Sequence, residues 1–187
     1  VTPEHIDDQH LSADLDEIIA RRREYLTEYQ DAAWAQRYLD LVAKVRAAEQ
    51  AKAPGSSALT EAVARYAFKL MAYKDEYEVA RLYAQPDFWQ QIDKTFDGDY
   101  KVKFNLAPPL FARTDADGHA VKSEYGPWIR HVFKLLQRLK FLRGGAFDIF
   151  GRSAERRMER QLIVDYTQTV EELVAGLGRD NHALAVQ

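Results

Sequence analysis

Apolar residues recur at helical spacing from Ser12 to about Gln50: Leu15, Ile18, Ile19, Tyr25, Leu26, Tyr29, Ala33, Tyr38, Leu41, Val42 and Val45. Ser12 stands where an N-cap belongs, and Asp14, Asp16 and Glu17 suit the positive end of a helix dipole. Pro54-Gly55-Ser56-Ser57 stops the run. One continuous helix here would measure about 57 Å at ~1.5 Å per residue. A break is open, but neither Pro nor Gly marks one.

A second stripe (Val63, Tyr66, Ala67, Leu70, Met71, Tyr77, Ala80, Tyr83) predicts a helix from Leu59 to Ala84, ending before Pro86. Two long helices joined by a short Pro-Gly loop predict an antiparallel hairpin. Between residues 86 and 126 the pattern changes. Tyr100, Val102 and Phe104 alternate with Lys101 and Lys103, as in a strand. Leu110-Phe111-Ala112 and Ala120-Val121 flank Thr114-Asp115-Ala116-Asp117-Gly118, which reads as a hairpin turn. A third helix begins at Pro127, with Trp128, Val132, Phe133, Leu135, Leu136, Leu139 and Leu142 toward the core, and ends at Gly144-Gly145. Ser153 caps a fourth, with the stripe Met158, Leu162, Ile163, Tyr166, Val170, Leu173, Val174 and Leu177. The expected fold is therefore mostly α: a long antiparallel helical hairpin plus further helices, with a small β-hairpin element inserted around residues 99–125. It reads as one helical domain over residues 1–187, with residues 1–11 as a flexible arm.

Composition narrows the classes. The 187 residues are 47% hydrophobic and 29% charged, enough for a packed core. A net charge of −3 speaks against a dedicated nucleic-acid binder. There is no cysteine, so the chain supplies no disulfide, no thiolate zinc site, no Cys-ligated iron–sulfur cluster and no Cys nucleophile. No apolar run reaches the roughly 18–20 residues of a membrane helix. Val1-Thr2-Pro3-Glu4-His5 opens without the basic and apolar regions of a signal peptide. A cytoplasmic protein without a membrane partner is expected, and the missing initial Met suits a piece of a longer polypeptide.

Charge is also sorted along the chain. Residues 1–31 hold nine acids against three arginines, and residues 126–160 hold nine bases against three acids. The two segments facing each other or solvent is the plainer explanation; a basic docking surface is the other.

The densest polar cluster is Tyr73-Lys74-Asp75-Glu76-Tyr77-Glu78-Val79-Ala80-Arg81. Helical spacing permits Lys74–Glu78 and Glu78–Arg81 ion pairs, and puts Lys74 on a face with Leu70, Tyr77 and Arg81. A partly buried Lys between carboxylates could move a proton. With no His or nucleophile beside it, the cluster fits a structural salt-bridge network better. Farther on, Gly144, Gly145 and Gly151 precede a helix and stand among Arg143, Arg152, Arg156 and Arg157, an arrangement able to hold a phosphate or carboxylate. The glycine spacing matches neither the phosphate loop nor the dinucleotide fingerprint, and a tight turn tied down by arginines explains it better. Asp115-Ala116-Asp117-Gly118 lacks the remaining ligands of a calcium loop, and the five histidines are scattered, so no metal site is assigned. No Gly-x-Ser-x-Gly elbow is present. The chain alone offers no catalytic residues.

Three blocks carry a family likeness: Ala64 through Tyr83, Leu106-Ala107-Pro108-Pro109-Leu110, and Leu142-Arg143-Gly144 through Phe150-Gly151 to Glu155-Arg156-Arg157-Met158-Glu159-Arg160. With Arg22–Tyr38 and Gly126-Pro127-Trp128, the chain resembles the C-terminal helical region of the large, fused indolepyruvate ferredoxin oxidoreductases of bacteria. Two departures stand out: Asn105 where the family usually has His, and Gly144-Gly145 where it usually has Gly-Thr. The resemblance implies a parent enzyme that oxidatively decarboxylates an aryl 2-oxo acid to an acyl-coenzyme A. That enzyme uses thiamine diphosphate, magnesium and iron–sulfur clusters, and passes electrons to ferredoxin. It implies that those cofactors lie in other segments and that this chain is an accessory domain, binding none of them, whose partners are the parent's other domains. As an alternative, Lys74, Asp75, Glu76, Arg81, Arg143, Arg152, Arg156 and Arg157 are candidates for an anion-binding site or interface. The arginines would then hold a coenzyme A phosphate or a substrate carboxylate, or the Gly126–Arg160 surface would dock ferredoxin.

Overall fold

The computed structural model describes residues 14–106, 113–114, 120–121 and 123–187. Its helices are α1 (Leu15–Tyr29), α2 (Ala32–Lys52), α3 (Ala58–Met71), α4 (Glu76–Ala84), α5 (Pro86–Thr95), α6 (Ile129–Arg138), α7 (Ala154–Ala175) and the short α8 (His182–Ala185). A 3-10 turn, Leu139–Leu142, follows α6. The strands are β1 (Phe104–Leu106), β2 (Arg113–Thr114), β3 (Ala120–Val121) and β4 (Ser123–Tyr125). β1 pairs antiparallel with β4, Phe104 opposite Tyr125, and β2 pairs antiparallel with β3. The fold is mostly α with a small antiparallel β insertion, as the hydrophobic pattern indicates. None of the described helices is long and apolar enough to cross a membrane.

The chain, read from sequence as one domain, forms two compact units. One comprises residues 1–73 and 154–187, the other residues 74–153. In the first, α2 and α3 make the expected hairpin, closed by Ala53–Ser57 with Gly55 at φ +92°. Leu26 of α1, Tyr38, Val42 and Val45 of α2, Leu59, Val63 and Phe68 of α3, and Ile163 and Val170 of α7 share its core. Three aromatic side chains donate to backbone carbonyls of α3 and its C-terminal end: Tyr29 to Tyr73 (3.0 Å), Trp34 to Met71 (3.2 Å) and Tyr38 to Ala64 (3.3 Å). The carbonyls at the end of a helix have no partner within it, so the first two bonds finish that helix while burying the rings.

The N-terminus of α3 is finished by a buried acid. Glu49, fully buried on α2, accepts from the amides of Leu59 (2.9 Å) and Thr60 (2.8 Å) and from the hydroxyls of Thr60 (2.6 Å) and Ser56 (3.2 Å). His182 Nε2 lies 2.7 Å from the same carboxylate. Burial raises the Glu49 pKa, but the bonds from Thr60, His182 and the Leu59 and Thr60 amides outweigh it and bring the pKa down to about 2.

The second unit packs around Ala80 of α4, Phe104 of β1, and Ile129 and Phe133 of α6. Tyr83 stacks on Phe133 and meets Phe88 and Phe104 edge-on, all at 5.1–5.3 Å between ring centres.

Several expectations need correction. The run from Ser12 to Gln50 is two helices, not one: Asp31 caps α2 by accepting from the Trp34 amide (2.7 Å). The predicted Leu59–Ala84 helix is likewise two, since Asp75 starts α4 afresh. α5 lies where no helix was expected, with Pro86 in its first turn. Of the Tyr100–Phe104 alternation, only Phe104 enters a strand. Trp128, Val132 and Leu135, expected in the core, are 59%, 36% and 58% exposed; Phe133 is buried as expected, and Ile129, outside the expected stripe, is buried beside it. Met158 and Leu162 of α7 are exposed too. The arm at 1–11, the Ser12 cap, Leu110–Ala112 and the Asp115–Gly118 turn lie outside the described residues, although β2 and β3 pair on either side of that turn.

Candidate functional site

The cluster singled out at Lys74–Arg81 opens the second unit. Asp75 takes the N-cap position of α4 because its short carboxylate reaches the Glu78 amide (2.8 Å). The carboxylate is 3% exposed and is also gripped by Arg143, whose Nη2 donates to Oδ1 (2.9 Å) and whose Nε donates to Oδ2. This is a forked arginine–carboxylate pair, with both side chains out of solvent. One turn on, Glu78 receives Nε and Nη2 of Arg81 at 2.8 and 2.9 Å. That pair is buried as well, with 1% and 4% of its side chains exposed.

Tyr77 lies between these pairs in sequence and reaches a third acid. Its hydroxyl donates to Asp148 Oδ1 (3.2 Å). Asp148 also accepts from the backbone amides of Gly144 (2.7 Å), Phe150 (3.1 Å) and Gly151 (2.9 Å). One buried carboxylate thus closes the loop 144–151 on itself, and Tyr77 fastens it to α4. Gly144, at φ +73°, supplies the left-handed turn after Arg143. Burial, and next the Asp148 carboxylate, push the Tyr77 phenol well above its ordinary pKa. It therefore stays protonated near neutral pH and serves as a donor, not a nucleophile.

The structure brings together some of the sequence candidates and separates others. Asp75 meets Arg143, and Arg81 meets Glu78. Glu76 is half-buried in the first turn of α4. Lys74, expected on a shared helix face with a partly buried stem, is exposed and precedes the helix. The four arginines are divided: Arg143 and Arg152 belong to the second unit, Arg156 and Arg157 to the first. Arg152 donates to the Ala146 carbonyl (3.0 Å), Arg156 pairs with Glu159 (2.7 Å), and Arg157 is exposed. Sequence reasoning missed Asp148, and placed Tyr77 in the cluster without its bond to that acid. An Asp amid glycines, flanked by apolar residues that the loop exposes, is the usable signal, because Asp side chains commonly fold back onto nearby amides.

Each carboxylate of this network accepts from several N–H or O–H groups. Its evident chemistry is to hold α4 and the loop 144–151 in one geometry. In the first unit, a surface cleft of about 270 Å³ lies over Trp34, Leu41, Met71 and Ile163. Arg37 stacks 5.1 Å above the Trp34 ring there, and the Lys44–Glu171 pair stands at the cleft (2.7 Å). This is just under the roughly 300–1,000 Å³ usual for small-molecule pockets. Among the described residues, no three His, Asp or Glu side chains gather as metal ligands would.

Among known proteins, the family of unknown function DUF6537 matches residues 15–187. No curated protein and no solved structure matches the chain.

Proposed function

The chain belongs to the DUF6537 family, and from that premise we propose that it is an accessory, non-catalytic helical domain of a cytoplasmic 2-oxoacid:ferredoxin oxidoreductase of the indolepyruvate type. The observation that carries this reading is the internal use of its most chemistry-like cluster. Asp75, Glu78, Arg81, Arg143 and Asp148 bond one another, Tyr77 and local amides, and build a scaffold. The three sequence blocks that resemble the C-terminal region of such enzymes support the parent's identity. With no cysteine, the chain supplies no thiolate for an iron–sulfur cluster. In this reading thiamine diphosphate, magnesium and the clusters belong to the partner domains.

Two measurements test the reading, one on the isolated chain and one on the parent enzyme. The isolated chain should neither decarboxylate an aryl 2-oxo acid nor reduce ferredoxin; turnover without other chains ends the proposal. Asp75→Asn in the parent should lower its thermal stability and leave the Michaelis constants unchanged. The anion-site alternative is weakened, because carboxylates already hold Arg143 and Arg156. A selective rise in the Michaelis constant for coenzyme A or the 2-oxo acid on Arg156→Ala would revive it.

A further inference from the structure

The loop after α6 shows large apolar side chains to solvent while its backbone is held fast. Phe141, Phe147 and Ile149 are 68%, 79% and 54% exposed. The Asp148 carboxylate is turned inward to four donors, and the residues on either side, Phe147 and Ile149, stand in solvent. Phe150 turns back and meets Tyr77 edge-on at 5.3 Å. Arg143, just before the loop 144–151, is pinned by its fork with Asp75, and Arg152, just after it, donates back to the Ala146 carbonyl. Three large apolar side chains exposed within nine residues of an ordered loop are a marker of an interaction surface.

Along residues 126–152 the only acid is Asp148, which is buried and bonded, whereas Arg138 and Arg152 are exposed. We propose that residues 141–152 form a preformed docking knob for another protein, whose surface offers an apolar cleft rimmed by carboxylates. Opposite charge at the rim steers the encounter, and the aromatic anchor supplies the affinity. The rigid backbone favours a protein partner over a lipid surface. A loop ordered beforehand improves the fit to a shaped cleft by lowering the entropy lost on binding, whereas a fluid bilayer needs no such shape. This inference does not rest on the oxidoreductase reading.

The test uses the intact chain as bait for a displayed library of random peptides, followed by titration of the enriched consensus peptide. Enriched sequences should combine several Asp or Glu with Leu, Ile, Phe or Trp. Phe147→Ala, which removes an exposed ring and leaves the circular dichroism unchanged, should weaken the consensus peptide about tenfold or more. Arg138→Glu with Arg152→Glu should slow its association and flatten its salt dependence. Three results overturn the proposal. The enriched peptides lack carboxylates or ignore Phe147→Ala; the chain sediments as a dimer that Phe147→Ala dissociates; or phosphatidylserine vesicles bind the chain through Phe147 while no peptide does.

Discussion

The two units reach a fixed structure by different means. The first has long helices of 15, 21, 14 and 22 residues besides the four-residue α8, and their aliphatic and aromatic stripes pack into a broad core. Among its described residues the second has helices of 9, 10 and 10 residues and four strands of two or three. Helices that short are marginal on their own. Among its described residues the buried apolar set is small: Tyr77, Ala80, Phe104, Ile129 and Phe133. It adds what the first unit uses sparingly, buried charge in forked pairs and a carboxylate that gathers loop amides. Such pairs do not stabilise by burial itself, since removing charge from water is costly. They fix which segments meet, because any mispairing strands a charge in a dry place. In the smaller unit, ionic pairing specifies what a large apolar core specifies in the other.

The largest effect should come from breaking that ionic specification. Asp75→Ala leaves Arg143 buried beside no anion and removes the α4 cap, which should cost about 4 kcal/mol. Urea unfolding measures the loss, and hydrogen exchange locates it: protection should collapse in residues 74–153 and persist in α2 and α3. A second change, Arg143→Met, should recover much of the loss, because an uncharged pair of groups incurs no stranded charge. Equal loss of protection in both units would refute the comparison. The counterpart is Leu26→Ala, fully buried in the first unit. It should cost about 3 kcal/mol by leaving a cavity, with the loss centred on α1–α3 and α7.

The same division explains what could be read in the sequence. The long apolar stripes announced the first unit's helices, since periodicity over many residues is hard to produce otherwise. The breaks were hidden. At Gln30–Asp31 and at Tyr73–Asp75 the chain turns without Gly or Pro, and the new helix starts on an Asp side chain. An Asp within an amphipathic run looks like one more polar position. α5 was passed over because none of its residues is fully buried, although Pro86 in its first turn was the available signal. Glu78–Arg81 was legible, being three apart on one helix. Asp75–Arg143 was not: the partners are 68 residues apart, and nothing local in either segment names the other.

Glu49 sharpens the contrast by placing a single buried acid inside the apolar unit. Its pKa falls to about 2 in the fold from an ordinary 4.5. A depressed folded pKa stabilises the protein above the unfolded value, and the contribution fades as pH drops from 4.5 toward 2. The shift corresponds to stability on the order of 3 kcal/mol near neutral pH. Glu49→Gln should be less stable than the parent chain by about that much at pH 7, with the gap closing below pH 4.5, as denaturant titrations across pH would record. A gap that stays constant with pH would mean that the carboxylate's charge is not what Leu59, Thr60 and His182 hold.

The smallest effect separates charge from burial. Lys44 and Glu171 pair at 2.7 Å, as close as the arginine bonds of the second unit, yet each side chain is about half exposed. Water already solvates both groups, salt screens them, and holding two flexible side chains together costs rotamer entropy. Lys44→Ala should therefore change stability by under about 0.5 kcal/mol, and added salt should erase even that. Set beside Asp75→Ala, it brackets the effect of burial. Distance and charge are alike in the two pairs, whereas the Asp75–Arg143 pair is buried, forked and also caps α4. If Lys44→Ala proved as costly as Asp75→Ala, dry surroundings would not be the source of the second unit's specificity.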